Sequence, residues 1–229
     1  MKKLTAATTV GITAVALSVA SVGCGSNSQT ETKTTTPITT TTPKATPTTS
    51  PQAAGSNKTI QDYIKENNLV QTPVHRGDPG SPTINMPVPP GWSDATPSAP
   101  PEDYTAMVYD QPQVPDDPPR INAIVYKLTG NVDPAQILNY APGDLKNLPG
   151  FQPLDNGSKS TMSGFDAFQM AGYYMKDGKR RVRGQKTVVI PGQDGLYVLQ
   201  MTADALDSDL GTVMDATTKT IDPQTTITF

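Results

Sequence analysis

Cysteine, histidine and tryptophan each occur once in this chain of 229 residues. The single thiol, Cys24, excludes an intramolecular disulfide framework and any multi-cysteine metal site. The single histidine, His75, removes His-rich metal centres and makes most Ser-His or Cys-His catalytic arrangements hang on one residue. Charge is also sparse, 18 Lys+Arg against 21 Asp+Glu for a net −3, which argues against a nucleic-acid partner. Phosphate-cradling glycine loops, His-Glu-x-x-His and Gly-x-Ser-x-Gly are missing from the sequence. The acidic clusters Asp116-Asp117 and Asp204–Asp209 lack calcium-loop spacing and read as solvated loop and helix-start charge. The sequence therefore predicts a protein that is not an enzyme, with no cofactor and no metal ligand.

What the chain does have is a distinctive front end. Met1-Lys2-Lys3 is followed by an uncharged stretch from Leu4 to Val22. Its apolar heart, residues 10–20, is too short and too rich in Ala, Ser and Thr to span a bilayer, and it fits a secretory signal peptide. Ser21-Val22-Gly23-Cys24 resembles the lipobox of bacterial lipoproteins, where the Cys takes a diacylglycerol and the signal is cut before it. Ser21 stands where that motif usually has Leu. Two or more acyl chains anchor stably where one does not. Residues 1–23 are thus expected to be a lipoprotein signal peptide. Cys24 is the expected lipidation site, holding the protein to the outer face of the plasma membrane.

From Thr30 to Pro51 the chain reads TETKTTTPITTTTPKATPTTSP. Such a segment buries too little to offset its ordering entropy, so residues 24–56 are expected to be a disordered Thr/Pro-rich tether. Fully extended, residues 25–56 reach on the order of 100 Å at about 3.3 Å per residue. Dense Thr beside Pro is also the composition of O-glycosylated stalks.

Residues 57–229 carry 14 Lys+Arg and 20 Asp+Glu and read as one acidic globular domain large enough for a proper core. Thr59-Ile-Gln-Asp62 has helix-start spacing, with Ile60, Tyr63 and Ile64 as its apolar stripe. A Pro/Gly-rich stretch from 73 to 101 contains one edge-strand candidate, residues 81–88. Residues 105–109 and 121–128 read as strands. Asp133-Pro134 opens a helix that Pro142-Gly143 stops. Residues 165–175, 181–190 and 196–202 form a meander whose first turn is Asp177-Gly178. A last helix sets Leu206, Leu210, Val213, Met214 and Thr217 on one face. The expected class is α+β with an antiparallel sheet packed between helices.

Four segments carry a family resemblance: Gln71 to Ile84 (QTPVHRGDPGSPTI), Ala141 to Phe151 (APGDLKNLPGF), Gln185 to Pro191 (QKTVVIP) and Asp222 to Thr228. They resemble the LpqN/LpqT family of mycobacterial lipoproteins, closest to its LpqN branch. That family resembles the Mog1/PsbP-like fold, whose opening proline-glycine-tryptophan element looks like Pro90-Gly91-Trp92. The resemblance implies a cell-envelope lipoprotein with a non-catalytic binding role near mycolate and trehalose glycolipid metabolism, as fold-level analogy. It brings as partners an envelope glycolipid and envelope transport or transferase proteins. The alternative is a docking lipoprotein without a small ligand, which in a pathogen could engage host proteins.

Candidate ligand contacts are Trp92, Tyr126, Tyr173, Arg181 and Arg183. The aromatics lie on predicted strands, where alternate members must be core and the others could line an apolar groove. Lys176, Lys179, Arg180, Arg181, Arg183 and Lys186 form a basic cluster, with Arg181 and Arg183 on one strand face and Arg180 on the other. It could meet anionic headgroups or guard a sheet edge. His75 and Asp78 could pair as acid and base, but the stiff loop around them reads as structural, with Arg76 and Asp78 bonding locally. An acylated Cys24 predicts that metabolic labelling with a clickable fatty acid marks the protein in a mycobacterial host. Label that persists in Cys24→Ala would overturn the assignment.

Overall fold

The computed structural model describes residues 57–229. The segments expected to be signal peptide and tether, with Cys24 between them, lie outside the described residues. The chain opens with α1 (Ile60–Glu66), capped by Thr59: its hydroxyl accepts from the Asp62 amide, and the Asp62 carboxylate accepts from the Thr59 amide. There follow β1 (Val70–Pro73), β2 (Thr83–Asn85), β3 (Trp92–Asp94), β4 (Asp103–Tyr109), β5 (Arg120–Thr129), α2 (Pro134–Tyr140) and α3 (Gly143–Lys146). The second half is β6 (Gln152–Pro153), β7 (Ser158–Met162), β8 (Phe165–Lys176), β9 (Lys179–Gly192), β10 (Gly195–Leu206), α4 (Leu210–Asp215), a π-helical turn over Ala216–Ile221, α5 (Asp222–Gln224) and β11 (Thr226–Thr228).

Among the described residues, nine strands form one antiparallel sheet in the order β3-β4-β5-β10-β9-β8-β6, with β1 also on β5 and β7 also on β8. The β8–β9 hairpin turns at Asp177-Gly178, both at positive φ (52° and 73°), as the Asp-Gly pair predicts. Side chains alternate between the two faces, and two apolar clusters result. On one face Tyr197, Leu199, Met201 and Ala203 of β10 pack with Val213, Ala216 and Ile221 of the C-terminal segment. On the other, Leu196 and Val198 pack with Ile60 and Ile64 of α1 and Ile137 of α2. The α+β class, with helices on both faces of an antiparallel sheet, is what the sequence predicts.

Several elements differ from expectation. The strand at 83–85 pairs with β11 in a separate two-stranded ribbon instead of edging the main sheet. The helix opened at Asp133-Pro134 does stop before Pro142, at Tyr140, but a further short helix that the sequence did not announce, α3, follows directly at Gly143. The expected C-terminal helix begins later, because residues up to Leu206 continue β10, and Met214 stands 49% exposed, off the apolar face. The basic residues of β9 cannot guard an edge, since β9 lies between β10 and β8. The short strands β1, β3, β6, β7 and β11 carry too few alternating apolar residues to announce themselves.

The C-terminal segment is fastened to the sheet by one buried charge pair. Lys186 on β9, its side chain 5% exposed, holds the Asp222 carboxylate at 2.8 Å. The other Asp222 oxygen is buried without a partner. Breaking such a pair strands a charge, whereas removing both partners does not. Asp222→Ala is therefore expected to cost about 3 kcal/mol in urea unfolding. Lys186→Met together with Asp222→Ala should recover most of that loss.

Candidate functional site

The two faces of the sheet are covered unequally. On β10 the set Tyr197, Leu199, Met201, Ala203 and Ala205 is buried from end to end. The alternate set changes character: Leu196 and Val198 lie under α1 and α2, but Gln200, Thr202 and Asp204 do not belong to either apolar cluster. The register repeats this change across the sheet. Asp204 sits opposite Arg120 on β5 and Arg183 on β9, and Thr202 sits opposite Asn122 and Gln185. The helical layer ends where the Gln185 side-chain amide donates to the Ala141 carbonyl at 2.9 Å. Beyond that bond the floor of the sheet is an open polar shelf.

The shelf is the base of a cleft of about 690 Å³ that includes Asp103, Arg120, Asn122, Arg181, Arg183, Thr202 and Asp204. Its centre is an ion-pair network. Asp204 accepts from Arg181 Nε at 2.8 Å, from Arg183 Nε at 2.7 Å and from the Tyr174 hydroxyl at 2.6 Å. Asp117, from the β4–β5 loop, takes Arg181 Nη1 at 2.8 Å on both of its oxygens. Burial works against the Arg181 charge, but bonds to Asp117 and Asp204 more than compensate and raise its pKa. The Arg181 guanidinium in turn holds the Asp117 carboxyl below the usual carboxylate range. Burial pushes the Asp103 carboxyl up, opposed by a bond from the Asn122 amide at 3.2 Å. Arg120 has no ion pair among the described residues: the carboxylate across from it, Asp204, is already occupied by three donors.

Of the five candidate contacts, Arg181 and Arg183 meet on this shelf. Tyr126 lies in the covered half of the same face, 2% exposed, with its hydroxyl unpartnered. Tyr173 points to the opposite face, under the Arg180 guanidinium at 3.8 Å. Trp92 lies at the far sheet edge against Tyr109, rings 5.5 Å apart. The basic cluster is largely neutralised in place: besides Arg181 and Arg183, Lys179 pairs with Asp117, Arg180 with Asp207 and Lys186 with Asp222. Asp117 and Asp204, expected as solvated charge, are instead the acceptors that order the shelf. Hairpin arithmetic carries that signal, since counting out from the Pro191–Gly195 turn sets Asp204 opposite Arg183.

In the His75 loop Asp78 is the centre of the local bonds. Asp78 accepts from the His75 amide at 2.8 Å, and the Ser81 hydroxyl donates to the Asp78 carbonyl at 2.6 Å. Arg76 does not bond locally: it reaches the Tyr104 carbonyl at 3.0 Å and stacks on that ring.

A lowered pKa stabilises the fold above the unfolded carboxylate value of about 3.9, and that contribution fades as pH falls through the folded value. Asp117→Asn is therefore expected to destabilise the protein at pH 7 and progressively less below about pH 4. Urea midpoints measured from pH 2 to 7 check this; a penalty independent of pH would contradict the pairing.

Comparison with known proteins agrees with this architecture. The family described as "Probable lipoprotein LpqN" matches residues 56–228. Lipoprotein LpqN of Mycobacterium tuberculosis is 52% identical over the whole of both chains. The crystal structure of LpqN involved in cell envelope biogenesis of that organism superposes with a TM-score of 0.72 at 55% identity, covering 76% of this chain and all of that one. Lipoprotein LpqT of Mycobacterium leprae is 28% identical over 56% of this chain and 57% of its own. Mog1p, a Ran-binding protein of Saccharomyces cerevisiae, aligns at 16% identity with a TM-score of 0.38, over 67% of this chain and 85% of that one. The chain belongs to the LpqN lipoprotein family.

Proposed function

We propose that the protein is a non-catalytic binding module of the cell envelope, held to the outer face of the plasma membrane through Cys24, whose polar shelf receives the head of an amphipathic envelope molecule. The observation that carries this reading is the change from apolar to polar along one sheet face. Half of that face is left open, and at its centre Asp117, Tyr174, Arg181, Arg183 and Asp204 fix one another before any ligand arrives. Such pre-ordered planar donors and acceptors suit a polyhydroxylated head, because little rotamer freedom is lost on binding. The guanidiniums of Arg181 and Arg183 already face carboxylates, which favours a neutral sugar head over a phosphate. The sequence also allowed an apolar groove lined by the strand aromatics. The clefts that bear on this reading open at the surface, so recognition is assigned to the head and not to the tail.

A trehalose glycolipid, which the family resemblance suggests, fits this description. LpqN of Mycobacterium tuberculosis is described as involved in cell envelope biogenesis, and this chain is given the same setting. There it would present its ligand to an envelope transporter or transferase.

Native mass spectrometry of residues 57–229 purified from a mycobacterial host, followed by lipid extraction, tests the proposal. A stoichiometric glycolipid adduct is expected, and it should be lost in an Asn122→Ala, Thr202→Val double variant. A clean apo mass that is unchanged after incubation with envelope lipid extract would contradict it and turn attention to docking on protein partners.

A further inference from the structure

The helical layer stops short at a second place. α2 is fixed over the sheet by its Asp133 cap and by Ile137, which is fully buried in the second cluster. The flanking Leu138 is only half-buried, as is Phe168 of β8, and both pack against that cluster from outside. β7 is the next strand out. Its Lys159 sits opposite Phe168 and its Thr161 opposite Asp166, so both point to this face, and both are exposed. The step from α2 down to β7 is a cleft of about 880 Å³, within the size range of small-molecule sites. None of its lining is shared with the shelf. The floor is apolar: Phe168 and Val189, with Leu138 as the adjoining wall. Gly157, at φ +72°, runs its backbone against the Phe168 ring, where a Cβ would stand 2.5 Å away. The ring is therefore fixed in the free protein, which spares ordering cost on binding.

The rim carries charge that the fold does not use. Lys146 of α3 and Lys159 of β7 line the cleft, and neither has an ion pair among the described residues. The guanidiniums of the shelf, by contrast, already face carboxylates. Two carboxylates share the rim with the lysines. Asp133 is taken up by the start of α2, where it accepts from the Ala135 amide at 2.9 Å. The Asp166 carboxylate has no hydrogen bond or ion pair among the described residues, and it opposes a doubly charged ligand such as a phosphate. Ammonium heads beside apolar surface suit one negative charge at the end of a hydrocarbon chain. We propose that this cleft binds a long-chain carboxylate, its chain on Phe168, Leu138 and Val189 and its carboxylate on Lys146 and Lys159. The site is independent of the shelf. A neutral sugar head gives these lysines no counter-charge, so the two clefts select different ligands.

Residues 57–229 hold both apolar clusters, and the solved relative aligns over its whole length with 76% of this chain, so they form the folding unit. Titration calorimetry with octanoate, decanoate and dodecanoate below their micelle concentrations, paired with amide NMR, reads the site. Affinity should rise about two-fold per added methylene, since full burial gains about four-fold and the cleft is open on one side. Amide shifts should centre on Leu138, Lys159 and Phe168. Lys146→Met together with Lys159→Met, both at exposed positions, should weaken decanoate at least about ten-fold. Monodecanoylglycerol, the neutral counterpart, should bind that variant and the parent alike, which shows that the variant is folded. The shelf variant Asn122→Ala, Thr202→Val should leave decanoate binding unchanged, which separates this site from the proposed head site. Failure of all three carboxylates to bind would overturn the proposal. So would equal binding of decanoate and its neutral glyceride, decanoate affinity indifferent to the two lysines, or shifts centred on the shelf.

Discussion

A wide sheet has to hide apolar side chains on both faces, and only one face of this sheet is covered from end to end. The uncovered half of the other face can stay folded only if its polar groups satisfy one another or water. Asp204 meets that constraint at the centre, taking Arg181, Arg183 and Tyr174 on a single carboxylate. Asp117 completes the coordination of Arg181 from the β4–β5 loop. The network leaves Arg181 with a side chain only 10% exposed although it stands on an open face. Structural stability and the shape of the candidate site therefore come from the same bonds.

The four segments that resemble the LpqN/LpqT family are far apart in sequence and meet in space. Gln185 and Lys186, adjacent on β9, face opposite ways. Gln185 bonds the Ala141 carbonyl where the helical layer stops, and Lys186 bonds Asp222 where the C-terminal segment returns. Thr83–Asn85 and Thr226–Thr228 close the ribbon that seals the first apolar cluster. Tyr197 ties the long first loop down by donating to the Gly80 carbonyl at 3.0 Å. These segments fasten the covering layers to the sheet, and so they determine which half of the second face stays open.

The long elements were legible in the sequence. Capping by Thr59 and Asp133, the Asp177-Gly178 turn and the alternation of β8, β9 and β10 are local signals with local causes. The π-helical turn over Ala216–Ile221 was not legible, because its apolar residues have the spacing that an ordinary α-helical continuation would also show. Burial of Trp92 and Tyr126 follows from aromatic character alone, but their separation from Arg181 depends on strand order. Asp204 was misread because a run of aspartates near a helix start looks solvated. Only its register against Arg183 shows that the first of them belongs to a strand. Arg76 likewise bonds a carbonyl 28 residues away, which loop composition does not announce.

The polar shelf, and not the apolar clusters, is the surface proposed to meet the partner. The most direct measurement is backbone and arginine side-chain NMR of residues 57–229 during titration with an envelope glycolipid extract. Shifts confined to Arg120, Asn122, Arg181, Arg183, Thr202 and their strand neighbours are predicted. Shifts centred on α1, α2 and the cluster beneath them, with the shelf unmoved, would contradict it.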